Sequence, residues 1–541
     1  GDYTIHPKGK NHLFGKGFPR NTEYWEVLQL SKYLLGLDEG TTGCKACIFD
    51  FEGNVVGSDY REYPCYYPKP GWVEQYGDEI TEGLFATIKS AIAKSGVDPK
   101  EIVAMAMSSQ GCVWGPLDKN GKLLRPFLSW QDSRGASYVE KIRERIDERE
   151  YYQITGYALG AVFSVTKYLW FIENEPELFD KTEMFSLHQD YFLREFGAEG
   201  YWADTATGSR TGVFDVDNRR WSDKLFNLFG LDVNKFPKIC EAGKVVGEVN
   251  RYISEKTGLA QGTLLCIGAM DQNCSTLGGG LVKDGDTVVV MGTSSSTTVG
   301  SDNPVRDPNG ILWVKNNTGP ENFTTECNSL ASGASYRWYR DVFSDLERTA
   351  AVIAKVDPYE LINSQIDTVS PGSGGLTFLP LLQGAAGGRN NPYARGCFLG
   401  ATLGSTKEQF ARAVLEGITL EIKDNLEAQK KAGVNIDVIN LTGGGVKSRT
   451  WNQMQADIYQ VPVRILQTTE TGCLGAAIYA GVGTGIYKSY QEAVDVAVHI
   501  KETYEPNVKN FAAYEDAYAR WCKAYDSLNK GGYFEYLESV S

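Results

Sequence analysis

The chain is poor in the residues that most often advertise a site. Its 541 residues include four histidines, His6, His12, His188 and His499. Its 11 cysteines are scattered, and the one tight pair, Cys44 and Cys47, has no second pair at zinc-finger spacing. No His/Cys metal constellation can therefore be assembled from local spacing. An odd number of cysteines in a chain this large also excludes a disulfide scaffold and reads as reduced thiols in the cytoplasm. No apolar run approaches the roughly 18 residues of a membrane-spanning helix. The softest stretch, Cys473 to Ile486, is short and rich in Gly and Ala, which suits close helix packing. Positive charge is scarce as well: 54 Lys and Arg against 68 Asp and Glu give a net −14. That balance argues against nucleic acid or an anionic membrane as a partner. The first 32 residues lack an apolar secretory core and read as an N-terminal extension.

What is present is enough for two cores. One hydrophobic core stops growing at about 250–300 residues, so this length implies at least two domains. Regular structure is expected to start at Tyr33, with strands at 33–38 and 45–50 around a Gly-Thr turn and a third beginning at 54–57. Helices are expected at 77–95 and 134–147, with a strand at 102–107 between them. The pattern then restarts: a strand at 287–291, a Gly-Thr turn, a returning strand at 297–299, a helix at 407–432, a strand at 438–441, and helices near 450–459 and 472–481. This weak duplication places the domains at 33–283 and 284–541, closely joined and with a cleft between them. The aromatic segment 511–537 reads as a packing helix.

Four segments carry the chemistry. In Asp38-Glu39-Gly40-Thr41-Thr42-Gly43-Cys44-Lys45, two glycines let a turn expose backbone N–H groups, Thr41 and Thr42 add hydroxyls, and Lys45 adds a cation. Such a concavity suits a phosphate oxygen, and Asp38 at the strand end could hold a metal-bound water. An ordinary hairpin turn is the plain alternative. Gly292-Thr293-Ser294-Ser295-Ser296 repeats the chemistry at the start of the second half, and two such turns imply a polyphosphate pinched between two domains. Gly443-Gly444-Gly445, ahead of Ser448 and Asn452, lets a flat ring or sugar lie against backbone, next to a helix N-terminus. No Lys-Ser/Thr pair at Walker spacing and no Gly-x-Gly-x-x-Gly occurs there, which argues against a P-loop or a Rossmann site. Finally, Leu265 to Met270 is a strand ending in Asp271-Gln272. An acid there can accept a proton from a substrate hydroxyl, or simply cap a helix.

Taken in order, these segments resemble the FGGY carbohydrate kinase family, which has the actin-like, ribonuclease H-like ATPase fold, an α/β class with two domains. The resemblance runs from about Tyr33 to Tyr487. It rests on Leu37 to Thr42, Pro70-Gly71-Trp72-Val73-Glu74-Gln75, Trp130-Gln131-Asp132-Ser133-Arg134, Asp204-Thr205-Ala206, Gly268-Ala269-Met270-Asp271, Gly292-Thr293-Ser294, Gly443-Gly444-Gly445 and Gly472 to Ala477. The stretch Gly396 to Ala401 with Gln409-Phe410 and Ala413 to Glu416 is similar to the family's C-terminal signature, with Ala401 where a larger aliphatic is usual.

The resemblance implies ATP- and Mg²⁺-dependent phosphoryl transfer to a small sugar or polyol. It implies Asp271 as base and, with Asp38, as organiser of Mg²⁺ through water. Gly40, Thr41, Thr42 and Lys45 would form one phosphate loop and Gly292, Thr293 and Ser294 the other, with Gly444, Gly445, Ser448 and Asn452 about the adenosine. Gln110, Gly111, Cys112, Trp130, Asp271 and Gln272 would surround the acceptor. Glycerol kinases carry Arg-Glu and xylulokinases Met-His where this chain has Gly111 and its neighbours, so neither pattern is met. Gly111 is expected to open space beside the substrate. The remaining motifs look most like xylulokinases, which implies a ketopentose such as xylulose; a polyol kinase of the erythritol or glycerol type is the alternative. An actin-like ATPase of another function is the reading from a different class. His188 reads as a structural histidine and Cys112 as a packing residue. Family habit implies a homodimer.

Overall fold

The computed structural model describes residues 32–319 and 322–540; nearly all of the expected N-terminal extension lies outside the described residues. Strands β1 (Tyr33–Glu39), β2 (Gly43–Asp50), β3 (Val55–Glu62), β4 (Ile102–Ser109), β5 (Val245–Glu248) and β6 (Leu264–Met270) form one sheet in the order β5-β6-β4-β1-β2-β3. The hairpin β1–β2–β3 is antiparallel, whereas β4 runs parallel to β1 and β6 parallel to β4. A second sheet contains β7 (Thr287–Met291), β8 (Ser295–Ser301), β9 (Trp313–Asn316), β10 (Phe323–Ser329), β11 (Ile439–Gly443), β12 (Val463–Leu466) and β13 (Ile500–Tyr504). Its order is β9-β10-β8-β7-β11-β12-β13, with β11 parallel to β7 and β12 parallel to β11. The central five strands of the two sheets thus share one order and one set of directions. Buried parallel strands read as continuous apolar runs, which is why β4 and β6 are buried along their whole length.

Helices form where the sequence supplies both a face and stops. Helix α1 (Gly77–Ser95) opens on Asp78 and Glu79 and closes on Gly96 at φ 69°, complementing its dipole and its last carbonyls. It covers β2 and β3 and buries Ile80, Leu84 and Ile88 against Leu35 and Ile48. Helix α4 (Lys407–Ala432) starts with a capping box between Thr406 and Gln409 and ends at Gly433, φ 112°. It packs with α5 (Arg449–Tyr459) and α7 (Phe511–Lys530) over the second sheet. The expected helix 134–147 is only Tyr138–Arg143; Asp147 instead accepts N–H bonds from Arg149 and Glu150 and starts a new helix, Glu148–Thr155. A short carboxylate side chain favours the cap over the helix interior.

Two helices join the halves. Helix α3 (Asp271–Gly278) follows β6 directly, and α6 (Thr471–Gly483) returns from the second half onto the back of the first sheet. There Leu474, Ala477 and Ile478 pack against Leu34, Ala104, Cys266 and Leu277. The crossing is too close for side chains. A methyl on Gly475 would lie 1.9 Å from the Cys274 carbonyl oxygen, and one on Gly278 would lie 2.0 Å from that of Thr471. Gly36 in β1 meets the Cys473 carbonyl at the same 1.9 Å. The Gly/Ala content of this soft stretch is therefore a packing requirement. Replacing Gly475 by Ala, with backbone on the receiving side, is expected to cost about 1–3 kcal/mol, read as a lowered urea midpoint at unchanged slope.

Candidate active site

The site lies where β1, β4, β6 and the starts of α3 and α6 meet. Asp38 closes β1. Its Oδ1 accepts a hydrogen bond of 2.7 Å from the Ser108 hydroxyl at the neighbouring end of β4. A methyl on Gly472 would come within 2.9 Å of its Oδ2, so α6 seals this carboxylate from the side. Burial raises the Asp38 pKa against that hydrogen bond. Asp271 follows a register shift in β6 between Cys266 and Ala269; such irregularities re-aim the residues after them. Burial, with Asp38 second, pushes its pKa up to about 6. Asp271 is the first residue of α3 rather than its cap, and among the described residues its Oδ1 accepts only the Gln272 N–H, at 2.7 Å. The carboxylate therefore keeps acceptor capacity, in the range where a group can take up a proton near neutrality.

The two Gly-Thr turns are built alike. In the first, the Gly40 carbonyl accepts from Gln110 Nε2 at 3.1 Å and from the Tyr63 hydroxyl, and the Thr41 carbonyl accepts from Gln75 Nε2 at 2.9 Å. In the second, the Gly292 and Thr293 carbonyls accept from the Gly333 and Ala334 amides at 3.0 and 3.1 Å. No peptide among the described residues is cis. In a trans peptide the N–H opposes the C=O, so tying the carbonyls back turns the Thr41, Thr42, Thr293 and Ser294 amides outward. Those are the donors an anion needs. The halves touch between these turns: Ser296 Oγ donates to Gln272 Oε1 at 3.3 Å, and Lys45 Nζ pairs with Glu470 at 2.8 Å. Lys45 is thus not a free cation but one held by the residue preceding α6.

The third segment forms a shelf. Among the described residues no atom beyond its chain neighbours lies within 4 Å of where a Gly444 side chain would begin, and Gly445 lies against Met291. Ser448 caps α5 through the Trp451 N–H, while Asn452 Nδ2 donates to the Val446 carbonyl at 2.8 Å. The Asn452 Oδ1 is buried without a hydrogen-bond partner among the described residues.

The acceptor side differs most from the sequence expectation. Gln110 is buried and spends its amide on Glu39 Oε1 (2.6 Å) and on the Gly40 carbonyl, so it supports the first turn from behind. Gly111 does not open space: a side chain there would begin 2.8 Å from Met270 Sδ and 3.1 Å from Arg210 Cγ, which already fill it. Cys112 is buried at φ 60°, with its thiol donating to the Arg210 carbonyl at 3.3 Å and raised in pKa by burial. Trp130, 40% exposed, donates its indole N–H to Thr41 Oγ1 at 2.9 Å, bringing the expected sugar side and the first turn together. Trp72 stacks under the Arg134 guanidinium at 3.7 Å, away from this cluster of contacts.

Several residues had no local signal. Glu39, fully buried, accepts from Tyr63 (3.0 Å) and Gln110, and its other oxygen lies 3.0 Å from His188 Nδ1. Its neighbours come from the residues just after β3 and β4 and from a helix at His188–Glu195, so only the fold could reveal them. The structural reading of His188 agrees with these contacts. Behind Asp271 lies a buried group of charges, Arg210, Lys315 and Glu326. Burial raises the Glu326 carboxyl, but Lys315 and then Arg210 outweigh it and hold it at about 2, below the ordinary 4.5. Its stabilising effect is therefore complete above pH 4.5 and is lost as the pH falls toward 2. Glu326→Gln, which leaves Lys315 buried without its counter-charge, is expected to destabilise by about 3–5 kcal/mol at pH 7. Urea titrations should show this gap closing as the pH is lowered from 7 to 3.

Comparison with known proteins agrees with this geometry. Residues 33–278 match the N-terminal domain of the FGGY family of carbohydrate kinases and residues 287–484 its C-terminal domain. The chain is 29% identical over 490 residues to a xylulose kinase of Staphylococcus epidermidis, covering 91% of this chain and 96% of that protein. It is 30% identical over 491 residues to a glycerol kinase of Thermococcus gammatolerans, covering 88% and 94%. Its structure superposes on that of a xylulose kinase from Lactobacillus acidophilus with a TM-score of 0.84 at 25% identity, over 92% of this chain and 98% of that one. With two domain models in tandem and a site of matching order, the chain belongs to the FGGY family of carbohydrate kinases.

Proposed function

We propose that this protein transfers the γ-phosphoryl group of ATP to a hydroxyl of a short-chain ketose of the xylulose type. The observation that carries the reading is the pairing of Asp271, a carboxylate with spare acceptor capacity and a raised pKa, with two outward-facing amide turns at one junction of the halves. Transfer of this kind asks for positioning of phosphates, neutralisation of their charge and a base on the acceptor hydroxyl. The amides of the Gly40–Thr42 and Gly292–Ser294 turns hold the phosphate chain, and Gly444, Gly445, Ser448 and Asn452 take the adenosine. Asp271 takes the proton of the attacking hydroxyl, and Trp130 and Gln272 flank the acceptor.

Asp38 and Asp271 fit a Mg²⁺ ion held through water: Asp271 sits in the field of the Asp38 carboxylate, which disfavours two negative charges without a cation. Mg²⁺ is commonly bound by one or two carboxylates with phosphates and water. When bound, it would neutralise charge on the phosphates. Among the described residues no helix is long and apolar enough to cross a membrane, and all 11 cysteines are free, which supports work in the reducing cytoplasm. Sequence identity to xylulose and glycerol kinases is nearly equal, so the acceptor is decided at the site.

Turnover measured as ADP release over a panel of ketopentoses, glycerol and erythritol is expected to favour a ketopentose in kcat/KM; a clear preference for glycerol overturns the assignment. On the preferred sugar, Asp271→Asn is expected to lower kcat by about 10²–10⁴-fold while sugar binding, followed by calorimetry, survives.

A further inference from the structure

Beside Asp271, Arg210 has an incomplete set of hydrogen bonds. It follows the helix Thr205–Ser209, and its side chain is 7% exposed. Its backbone carbonyl is fixed by the Cys112 thiol. Its guanidinium sits between two aromatic faces, 4.7 Å from Trp313 and 5.1 Å from Tyr157, which set its plane. Yet its hydrogen bonding is meagre. Nε donates to Met270 Sδ at 3.0 Å, a weak acceptor. Nη2 stands 3.6 Å from Glu326 Oε1, outside hydrogen-bond range, and neither terminal nitrogen donates a hydrogen bond among the described residues. A guanidinium so nearly buried with both ends unused is a donor set lacking its acceptor. Its stem passes within 3.1 Å of the place where Gly111 lacks a side chain, and Met270, its sulfur partner, is the residue before Asp271. The Arg210 stem therefore borders the wall at Gly111, and its charge reaches the base Asp271.

The kind of oxygen its unused donors suit follows from the inventory of partners. Arg210 offers donors only. A substrate hydroxyl placed there would bring its own proton and need an acceptor in turn. Glu326 already accepts from Lys315 on Oε2 and from Asn328 Nδ2 on Oε1 at 3.2 Å, and the spare acceptor capacity of Asp271 is given to the attacking hydroxyl. A carbonyl oxygen brings lone pairs and no proton. We propose that Arg210 recognises the substrate: its guanidinium, running along the wall left by Gly111, donates to the carbonyl oxygen of the acceptor sugar and selects a ketose over the matching polyol. This deepens the kinase reading above and rests on it.

The test compares D-xylulose and L-xylulose with xylitol, the polyol that both give on reduction. Binding by calorimetry and kcat/KM by ADP release are measured for wild type, Arg210→Met and Arg210→Lys, with folding checked by thermal melting and by MgATP binding. Losing a hydrogen bond from a charged donor is expected to lower ketose kcat/KM and affinity by about 10- to 100-fold. Xylitol should change only a few-fold, so the ketose-to-polyol ratio falls about tenfold or more. Arg210→Lys keeps the charge and one donor and should lie between the two; it alone decides the matter if Arg210→Met does not fold. A ratio unmoved in a folded variant, whether both substrates suffer equally or neither does, overturns the role of Arg210 and leaves the kinase reading intact. A wild-type protein that neither binds nor phosphorylates any ketose overturns both.

Discussion

The structure turns on the contact between α3 and α6. Gly278 and Gly475 let the two helices meet backbone to backbone, and Gly36 lets α6 lie equally close to β1. This closeness brings Gly472 against Asp38 and holds Asp271, at the other end of α3, within the field of the same carboxylate. Larger residues would separate the helices, and water would enter between the acids. The raised pKa of each comes mainly from burial, so the chemistry of the site depends on a packing distance set by residues that have no side chain.

The charges around the site follow a second constraint. A buried ion is tolerated only when paired and hydrogen-bonded, and the partners here come from other elements of the fold. Glu39 is met by Tyr63, Gln110 and His188, Glu326 by Lys315, and Lys45 by Glu470. These pairings do two jobs. The Glu39 group holds the first turn rigid from behind, which leaves its amides free in front. The Glu326 group occupies Lys315 and leaves Arg210 underused, so a positive donor surface exists inside an acidic protein without an open basic patch.

The aromatic insertion between β4 and β6 serves the same end. Residues such as Trp114, Tyr168, Phe185 and Phe236 form a core of their own together with Cys112, and the segment that carries Arg210 is tied to it through the Cys112 thiol. A rigid support is what a recognition residue needs if its geometry is to discriminate between similar sugars.

The sequence by itself determined the pieces whose signals are local. Helices at 77–95 and 407–432 have their faces, caps and stops within the segment, and both appear with those bounds. The paired Gly-Thr turns, the strand leading to Asp271 and the Gly/Ala stretch at 473–486 were legible for the same reason: each is a short pattern with one cheap conformation. What only the tertiary structure decided is everything that depends on burial and on partners far away in the chain. The helix expected at 134–147 formed only over 138–143, and Asp147 became the cap of the next one. The space expected at Gly111 was filled by Met270 and Arg210. Glu39, Lys315, Glu326 and Arg210 carry no motif, because the role of a buried charge is set by what surrounds it. Those surroundings exist only once the two halves have closed on the glycines between them.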